Sequence, residues 1–209
     1  MGRYKKVTLH AYEKYAYDYA EGTADYFEKV LEARAVTGAF LALVGGKRIL
    51  DCGCGPGRDS AHFAQLGYEP VGIDISPQML ALAASKGLNV VRMDFEHLGF
   101  ADEVFDGVWA FHSLMHAPKY KLPLVLCDIF RILKPGSPLL ASFMEGKGNE
   151  WRKTKRFEGC VRYFAHYQES ELRHLFEAAG FYVIGALRPE PHWLNMLMVR
   201  PRAGQVTNG

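Results

Sequence analysis

The chain has 209 residues and lacks any long apolar run. Its longest mostly apolar stretch, residues 35–44, is ten residues long and includes Thr37 and Gly38. A membrane-spanning helix needs about 20, so no membrane segment is expected. The opening MGRYKKVTLHAYEKYAYDYAEG has no apolar centre, which argues against a secretory signal there. Cysteine is scarce: Cys52 and Cys54 sit two apart, and Cys127 and Cys160 are isolated. That is neither a disulfide framework nor the paired CxxC layout of a zinc site, so no metal is expected and a cytoplasmic setting fits. An excess of one charge is missing as well. A formal net charge of +2 argues against a protein whose task is to coat nucleic acid or an anionic membrane. Internal repeats and low-complexity segments are absent, and only residues 203–209 read as a disordered tail.

What is present is enough apolar material for a core. Hydrophobic residues make up 49% of the chain, which fits one large domain over residues 1–202. Short apolar runs alternate with amphipathic stretches, the pattern of a mostly parallel α/β sheet with crossover helices. Strands are predicted at 48–52, 69–74, 89–93, 105–111, 138–144, 182–187 and 193–199. Helices are predicted at 57–65, 78–86, 121–133 and 170–179. Ser76-Pro77 supplies an N-cap and a first-turn proline, Ser170 another N-cap, and Gly67, Gly87 and Gly180 close their helices. The last two strands are joined by five residues, too few for a parallel crossover, so they should form an antiparallel hairpin. Residues 1–45 read as a helical N-terminal cap. Residues 145–168 read as a long connection of the lid or binding-loop kind.

The central motif is ILDCGCGPGRD, residues 49–59. A buried strand runs into Gly53, Gly55 and Gly57, and a helix opens straight afterwards. Glycines there let the backbone turn tightly and approach a ligand, and the helix N-terminus offers free N–H groups. A dinucleotide fold needs a small third residue in GxGxxG/A. Counted from Gly53 that position is Arg58, which disfavours NAD or FAD. Asp51, just before the glycines, would place a carboxylate where a ligand's ammonium could bind. Asp74, ending the second strand, suits a ribose diol or a helix cap. Asp94 closes the third strand and can accept from an exocyclic amine, with Phe95 beside it. Three acids at the carboxyl ends of three consecutive strands mark the edge where open α/β sheets bind ligands. One ligand with an ammonium, a ribose diol and an adenine amine satisfies all three: S-adenosylmethionine.

The stretches ILDCGCGPGR, VGIDISPQML, VVRMDFEHLGFADEVFDGVWAFHSLMH, IFRILKPGSPLLAS and ELRHLFEAAGF resemble, in this order, the class I S-adenosylmethionine-dependent methyltransferases, especially the small "type 11" proteins. The resemblance implies a Rossmann-like, seven-stranded, mostly parallel sheet of order 3-2-1-4-5-7-6, last strand antiparallel, with helices on both faces. It implies that Asp51, Gly53 and Gly55 hold the methionine portion, that Arg58 at the end of the glycine motif also contacts the cofactor, and that Asp74 holds the ribose. Ile75 and Met79 would pack near the adenine, with Asp94 and Phe95 at its edge. Ala110 and Phe111 would approach the methionine portion through backbone atoms. Tyr12 and Tyr19 match a recurrent Y-x(6)-Y helix that covers the cofactor in the family. Seven apart, they would share a helix face; the alternative is a helix that only packs on the domain.

Methyl transfer is an in-line displacement, so most of the work is positioning. An oxygen or nitrogen acceptor also needs a base. His112 and His116 follow the fourth strand and, four apart, could share a helical face. His112 is the candidate base, while His116 matches a histidine common in the family and so leans structural. Further acceptor contacts are expected from Tyr12, His116, Trp151, Arg156, His166 and Trp193. Residues 145–162 carry six basic against three acidic residues, which could attract an anionic acceptor or form an ordinary solvated face. The [DNS]-P-P-[YFW] and Pro-Cys motifs and an appended RNA-binding domain are missing, which favours a small-molecule acceptor over nucleic acid. The expected protein, a monomer or homodimer, uses S-adenosylmethionine and releases S-adenosylhomocysteine. A non-catalytic cofactor-binding regulator and a nucleotide-dependent oxidoreductase stay as alternatives.

Overall fold

The computed structural model describes residues 1–26, 30–188, 192–202 and 204, with the side chains of 31, 32 and 156 left aside. Among the described residues three helices open the chain: α1 (Arg3–Lys14), α2 (Ala16–Glu21) and α3 (Leu31–Leu41). The strands β1 (Arg48–Cys52), β2 (Glu69–Asp74), β3 (Val90–Arg92), β4 (Gly107–Ala110) and β5 (Pro138–Glu145) follow. Between them lie α4 (Arg58–Gln65), α5 (Pro77–Ala84) and α6 (Leu122–Ile132). The chain closes with β6 (Asn149–Arg152), β7 (Arg162–Tyr167), α7 (Glu169–Ala178), β8 (Tyr182–Leu187) and β9 (Trp193–Val199). Among the described residues no helix is long and apolar enough to cross a membrane.

The main sheet runs β3-β2-β1-β4-β5-β9-β8. Pairing is parallel as far as β5, and β9 runs antiparallel to both of its neighbours, as the short final connection required. Side chains alternate between two faces. Leu50, Val108, Leu139 and Ala141 join the apolar side chains of α6 and α7 in one core. Ile49, Trp109, Phe111 and Leu140 join Val36 and Phe40 of α3 and Phe63 of α4 on the other face. The strands therefore read as near-continuous apolar runs, which is why they are visible in the sequence.

Four expectations need correction. Residues 145–168 are not an open loop: β6 and β7 form an antiparallel hairpin, and β7 joins the end of β5 through Met144↔His166 and Glu145↔Tyr167. β7 is buried at four of its six positions without strict alternation, so no strand period marks it. Tyr12 and Tyr19 belong to two helices, because the backbone leaves helical geometry at Tyr15. His112 and His116 share no helical face. His112 has a left-handed φ of 58°, and only Leu114–His116 form a short 3₁₀ turn. Finally, Gln168 rather than Ser170 occupies the N-cap of α7, which opens with Glu169 and Glu171 in its first turn, a favourable placement for the helix dipole. The tail beyond 204 lies outside the described residues.

The turn from β1 into α4 is the point where the fold becomes a site. Gly57 caps α4 at a left-handed φ of 76°, and a Cβ there would lie 2.5 Å from Leu88 Cδ1. The first turn of α4 is tied to two strands. Ser60 donates through its backbone N (3.0 Å) and its Oγ (2.7 Å) to Asp51 Oδ2 on β1. Trp109 Nε1 on β4 donates to Asp59 Oδ2 at 2.9 Å. Trp109→Phe keeps a six-membered aromatic ring in this fully buried place but removes the five-membered half of the indole and with it that donor. It should lower unfolding free energy by roughly 1.5–3 kcal/mol, read by chemical denaturation; an unchanged midpoint would show that this tie contributes nothing.

Candidate functional site

A cavity opens at the carboxyl ends of β1, β2, β3 and β4. It encloses about 880 Å³, counting the part open to solvent. Its floor is the glycine turn, Gly53 to Pro56, and its roof carries Thr8, Leu9 and Tyr12 of α1 and Tyr19 of α2. Arg58, Asp74, Ile75, Met79, Phe95, Phe111, His112 and His116 also line it. These include most of the sequence-predicted residues. Asp51, Asp94, Ala110, Trp151, His166 and Trp193 are not part of the lining, and the Arg156 side chain lies outside the described residues.

Each departure has a local reason. Asp51 is 2% exposed and turned toward Ser60. Burial and the neighbouring Asp59 charge raise its carboxyl. Asp94 is held by Lys5 Nζ of α1 at 2.5 Å. Ala110 is fully buried beneath the turn. Trp151 is 42% exposed on the β6–β7 hairpin, packed edge-on to Tyr163. His166 Nε2 meets Glu150 Oε1 at 3.1 Å. Trp193 stands behind the wall, with its ring centroid 3.9 Å from that of His112.

Asp74 keeps acceptor capacity. Oδ1 receives Ser76 N at 2.8 Å and Oδ2 receives Gly55 N at 3.0 Å, and the Ile75 N–H also favours the charged carboxyl, which leaves part of its acceptor capacity for a ligand. Burial raises this carboxyl. Arg58 is the cation of the described lining, and Asp59 engages it: Nε–Oδ1 is 2.5 Å and Nη2–Oδ2 is 3.0 Å. Its guanidinium also lies 4.4 Å from the Tyr26 ring centroid. Burial would raise Asp59, but the Arg58 charge and the Arg58 and Trp109 hydrogen bonds outweigh it and hold the carboxyl below its usual range.

The two histidines differ. His116 Nδ1 lies 2.8 Å from Tyr163 O, and a carbonyl only accepts, so Nδ1 carries the proton. Nε2 then accepts from Tyr12 Oη at 2.9 Å, and Tyr12 Oη accepts from Arg162 Nη1 at 2.8 Å. Both His116 nitrogens are therefore engaged, and the ring latches α1 to β7. His112 stacks between Phe111 and Trp193, with both centroids at 3.9 Å. Burial, then the Arg58 charge, lowers His112 to about 3; burial lowers His116 to about 4.

Sequence reasoning missed Thr8, Asp59, Met93 and Ser113 in the lining. Asp59 was visible as an acid beside Arg58 in the motif; the others carry no pattern of their own. Among the described residues no group of three or more His, Cys, Asp or Glu side chains is placed to hold a metal ion.

A glycine turn beneath a cavity at the switch of an open parallel sheet, with an acid ending the second strand, defines a nucleoside-binding Rossmann-like domain. The chain belongs to the class I S-adenosylmethionine-dependent methyltransferases. A methyltransferase-domain family model matches residues 50–141. The O-methyltransferase rstn1 of Aspergillus nomiae is 30% identical over 158 residues, covering 70% of this chain and 69% of that protein. Methyltransferase phqN of Penicillium fellutanum is 38% identical over 101 residues, or 44% of this chain. The chain spans 30% of that relative's length and 25% of a Botryococcus braunii sterol methyltransferase-like protein. Among solved structures, the Burkholderia thailandensis 1,6-didemethyltoxoflavin-N1-methyltransferase superposes with a TM-score of 0.72 at 22% identity, covering 97% of this chain and 92% of that one. At that identity the likeness speaks for the fold.

Because His112 and His116 are pulled below the ordinary histidine range, both should stay neutral from about pH 8 to about pH 5, while solvent-exposed histidines titrate near 6.5. Carbon-13 NMR of labelled histidine checks this. Two titrating resonances assigned to these rings would show that the wall is open to water.

Proposed function

We propose that the protein transfers a methyl group from S-adenosylmethionine to an oxygen or nitrogen atom, less readily carbon, of a small-molecule acceptor. S-adenosylhomocysteine is the second product. The observation that carries the reading is Asp74: a half-buried carboxyl in the lining of the cavity that keeps acceptor capacity beyond its backbone partners, which suits a ribose diol. Ile75, Met79, Met93 and Phe95 form the apolar wall beside it, suited to an adenine. Gly53, Gly55 and the backbone of Phe111 receive the methionine arm; Ala110, fully buried, supports them from beneath. Asp94 faces the same edge through its partner Lys5. When bound, S-adenosylmethionine supplies a methyl group activated by its sulfonium. The work of the chain is to hold that group in line with the acceptor and away from water.

The acceptor reaches the part of the cavity bounded by Tyr12, Tyr19, Phe111 and His112. Neutral His112 can accept a hydrogen bond or a proton, but its lowered basicity makes it a weak general base. Its main contribution is to orient the acceptor. The only cation in the described lining, Arg58, is engaged by Asp59, which favours an uncharged acceptor over an anionic one. Of the basic residues on 145–162, Arg162 approaches the lining through Tyr12. Residues 1–202 work as one methyltransferase domain, with α1 and α2 as its cap and the 145–168 hairpin beside the acceptor; α3 packs on the sheet instead. The free cysteines suit a reducing compartment such as the cytoplasm. A nucleotide-dependent oxidoreductase is disfavoured by Arg58, whose side chain fills the place a dinucleotide fold keeps small.

Isothermal titration should find that S-adenosylhomocysteine binds and NADH does not. Asp74→Ala should lose at least about tenfold in S-adenosylhomocysteine affinity. A wild-type chain that does not bind S-adenosylhomocysteine would sink the reading, and an unaffected variant would remove the ribose assignment. A broad acceptor screen that yields no methylated product despite tight binding would favour a regulator instead.

A further inference from the structure

The hydroxyl of Ser113 is a polar group that the fold itself leaves unused. Ser113 follows Phe111 and His112 beyond β4 and precedes the 3₁₀ turn Leu114–His116. The residue is 6% exposed, and its Oγ has no hydrogen-bond partner among the described residues. Yet it lines the cavity. Other buried hydroxyls are engaged: Ser60 donates to Asp51, Ser76 accepts from Met79 N, and Thr8 accepts from Tyr163 N. Thr154 Oγ1 and the Tyr167 hydroxyl are also unpartnered, but neither residue lines the cavity. An unsatisfied buried hydroxyl destabilises the ligand-free fold, so such a hydroxyl on a residue of the cavity lining points to a ligand atom.

Its position identifies which part of the ligand. Gly53 has a left-handed φ of 83°, and a Cβ there would sit 2.4 Å from Ser113 Cβ and 3.2 Å from its Oγ. The Gly53 backbone and the Ser113 hydroxyl therefore share one corner, between the ends of β1 and β4. Asp74, Met93 and Phe95 stand on the opposite side of β1, at the ends of β2 and β3. A nucleoside with its ribose on Asp74 and its base toward Phe95 directs its remaining arm into the Ser113 corner.

We propose that Ser113 Oγ hydrogen-bonds the charged amino-acid end of S-adenosylmethionine, an inference that rests on the cofactor assignment above. Two ligands separate this contact from every other. S-adenosylhomocysteine carries the amino-acid arm, and 5′-methylthioadenosine lacks it while keeping the adenine and ribose. By calorimetry, Ser113→Ala should lose about tenfold in affinity for S-adenosylhomocysteine and keep its affinity for 5′-methylthioadenosine. Ser113→Cys, a weaker donor, should lose less. The ligand-free thermal midpoint of Ser113→Ala should hold or rise, because an unsatisfied group has been removed. The proposal is overturned if Ser113→Ala binds S-adenosylhomocysteine as wild type does. It is equally overturned if both ligands weaken alike, or if the ligand-free variant is less stable or unfolded, either of which would mark a structural role. A wild-type chain that binds no S-adenosylhomocysteine overturns the cofactor assignment and this contact together. Failure confined to the variants overturns this contact alone.

Discussion

The site depends on the pair formed by Arg58 and Asp59 in the first turn of α4. A buried carboxylate without a partner costs several kcal/mol, so Asp59 is tolerable only because Arg58 and Trp109 both reach it. Those contacts bind the helix that follows the glycine turn to β4. The Asp51–Ser60 bonds bind the same turn to β1. With both ties made, the turn cannot slide relative to the two strands whose ends it covers. The Arg58 charge is drawn to Asp59, yet it stays near enough to His112 to oppose protonation of that ring.

A stack of rings extends this rigidity toward the acceptor side. Trp109 and Phe111 are 5.1 Å apart and nearly parallel, Phe111 and His112 are 3.9 Å apart, and His112 and Trp193 again 3.9 Å. The series begins in the core and ends on β9, a strand that reaches this position only because it runs antiparallel beside β5. His112 adopts a left-handed backbone conformation that non-glycine residues rarely take. Stacking on both sides offsets that strain and leaves the edge of the imidazole, not its faces, to meet a ligand.

The strands at the centre were legible because parallel strands buried on both faces must be apolar throughout, as Ile49, Leu50, Val108 and Trp109 are. The glycine turn and Asp74 were legible because backbone geometry and strand ends constrain residue type. The β6–β7 hairpin was not, since its aromatic and charged residues follow neither a strand nor a helix period, and its register rests on pairing with a distant strand. Asp51 and Asp94 illustrate a different limit. Asp51 is the last residue but one of β1 and Asp94 lies two residues beyond the end of β3 rather than closing it, and whether such an acid faces a ligand depends on its neighbours. Ser60 takes one and Lys5 the other, and neither partnership has a sequence signature. Ser113 and Thr8 were invisible for the same reason: an ordinary hydroxyl becomes informative only when its burial and its partners are known.

Those neighbours also connect the N-terminal helix to the cofactor wall. Lys5 bridges Asp94 at 2.5 Å and Glu96 at 2.8 Å, and Tyr4 donates to the same Glu96 carboxylate. Met93 and Phe95, which line the cavity, alternate with these acids along one short segment. At its other end α1 is latched by the chain from Arg162 through Tyr12 to His116. Both anchors are polar and partly buried, so α1 is held by directional bonds more than by apolar area, and apart from Tyr4 and Tyr12 it contributes few large apolar contacts to the core. A helix attached in this way is fixed to the rim of the sheet at both of its ends, through β7 on one side and the segment after β3 on the other. One four-residue segment, 93–96, therefore supplies both a wall of the cavity, through Met93 and Phe95, and an anchor for the helix that roofs it, through Asp94 and Glu96.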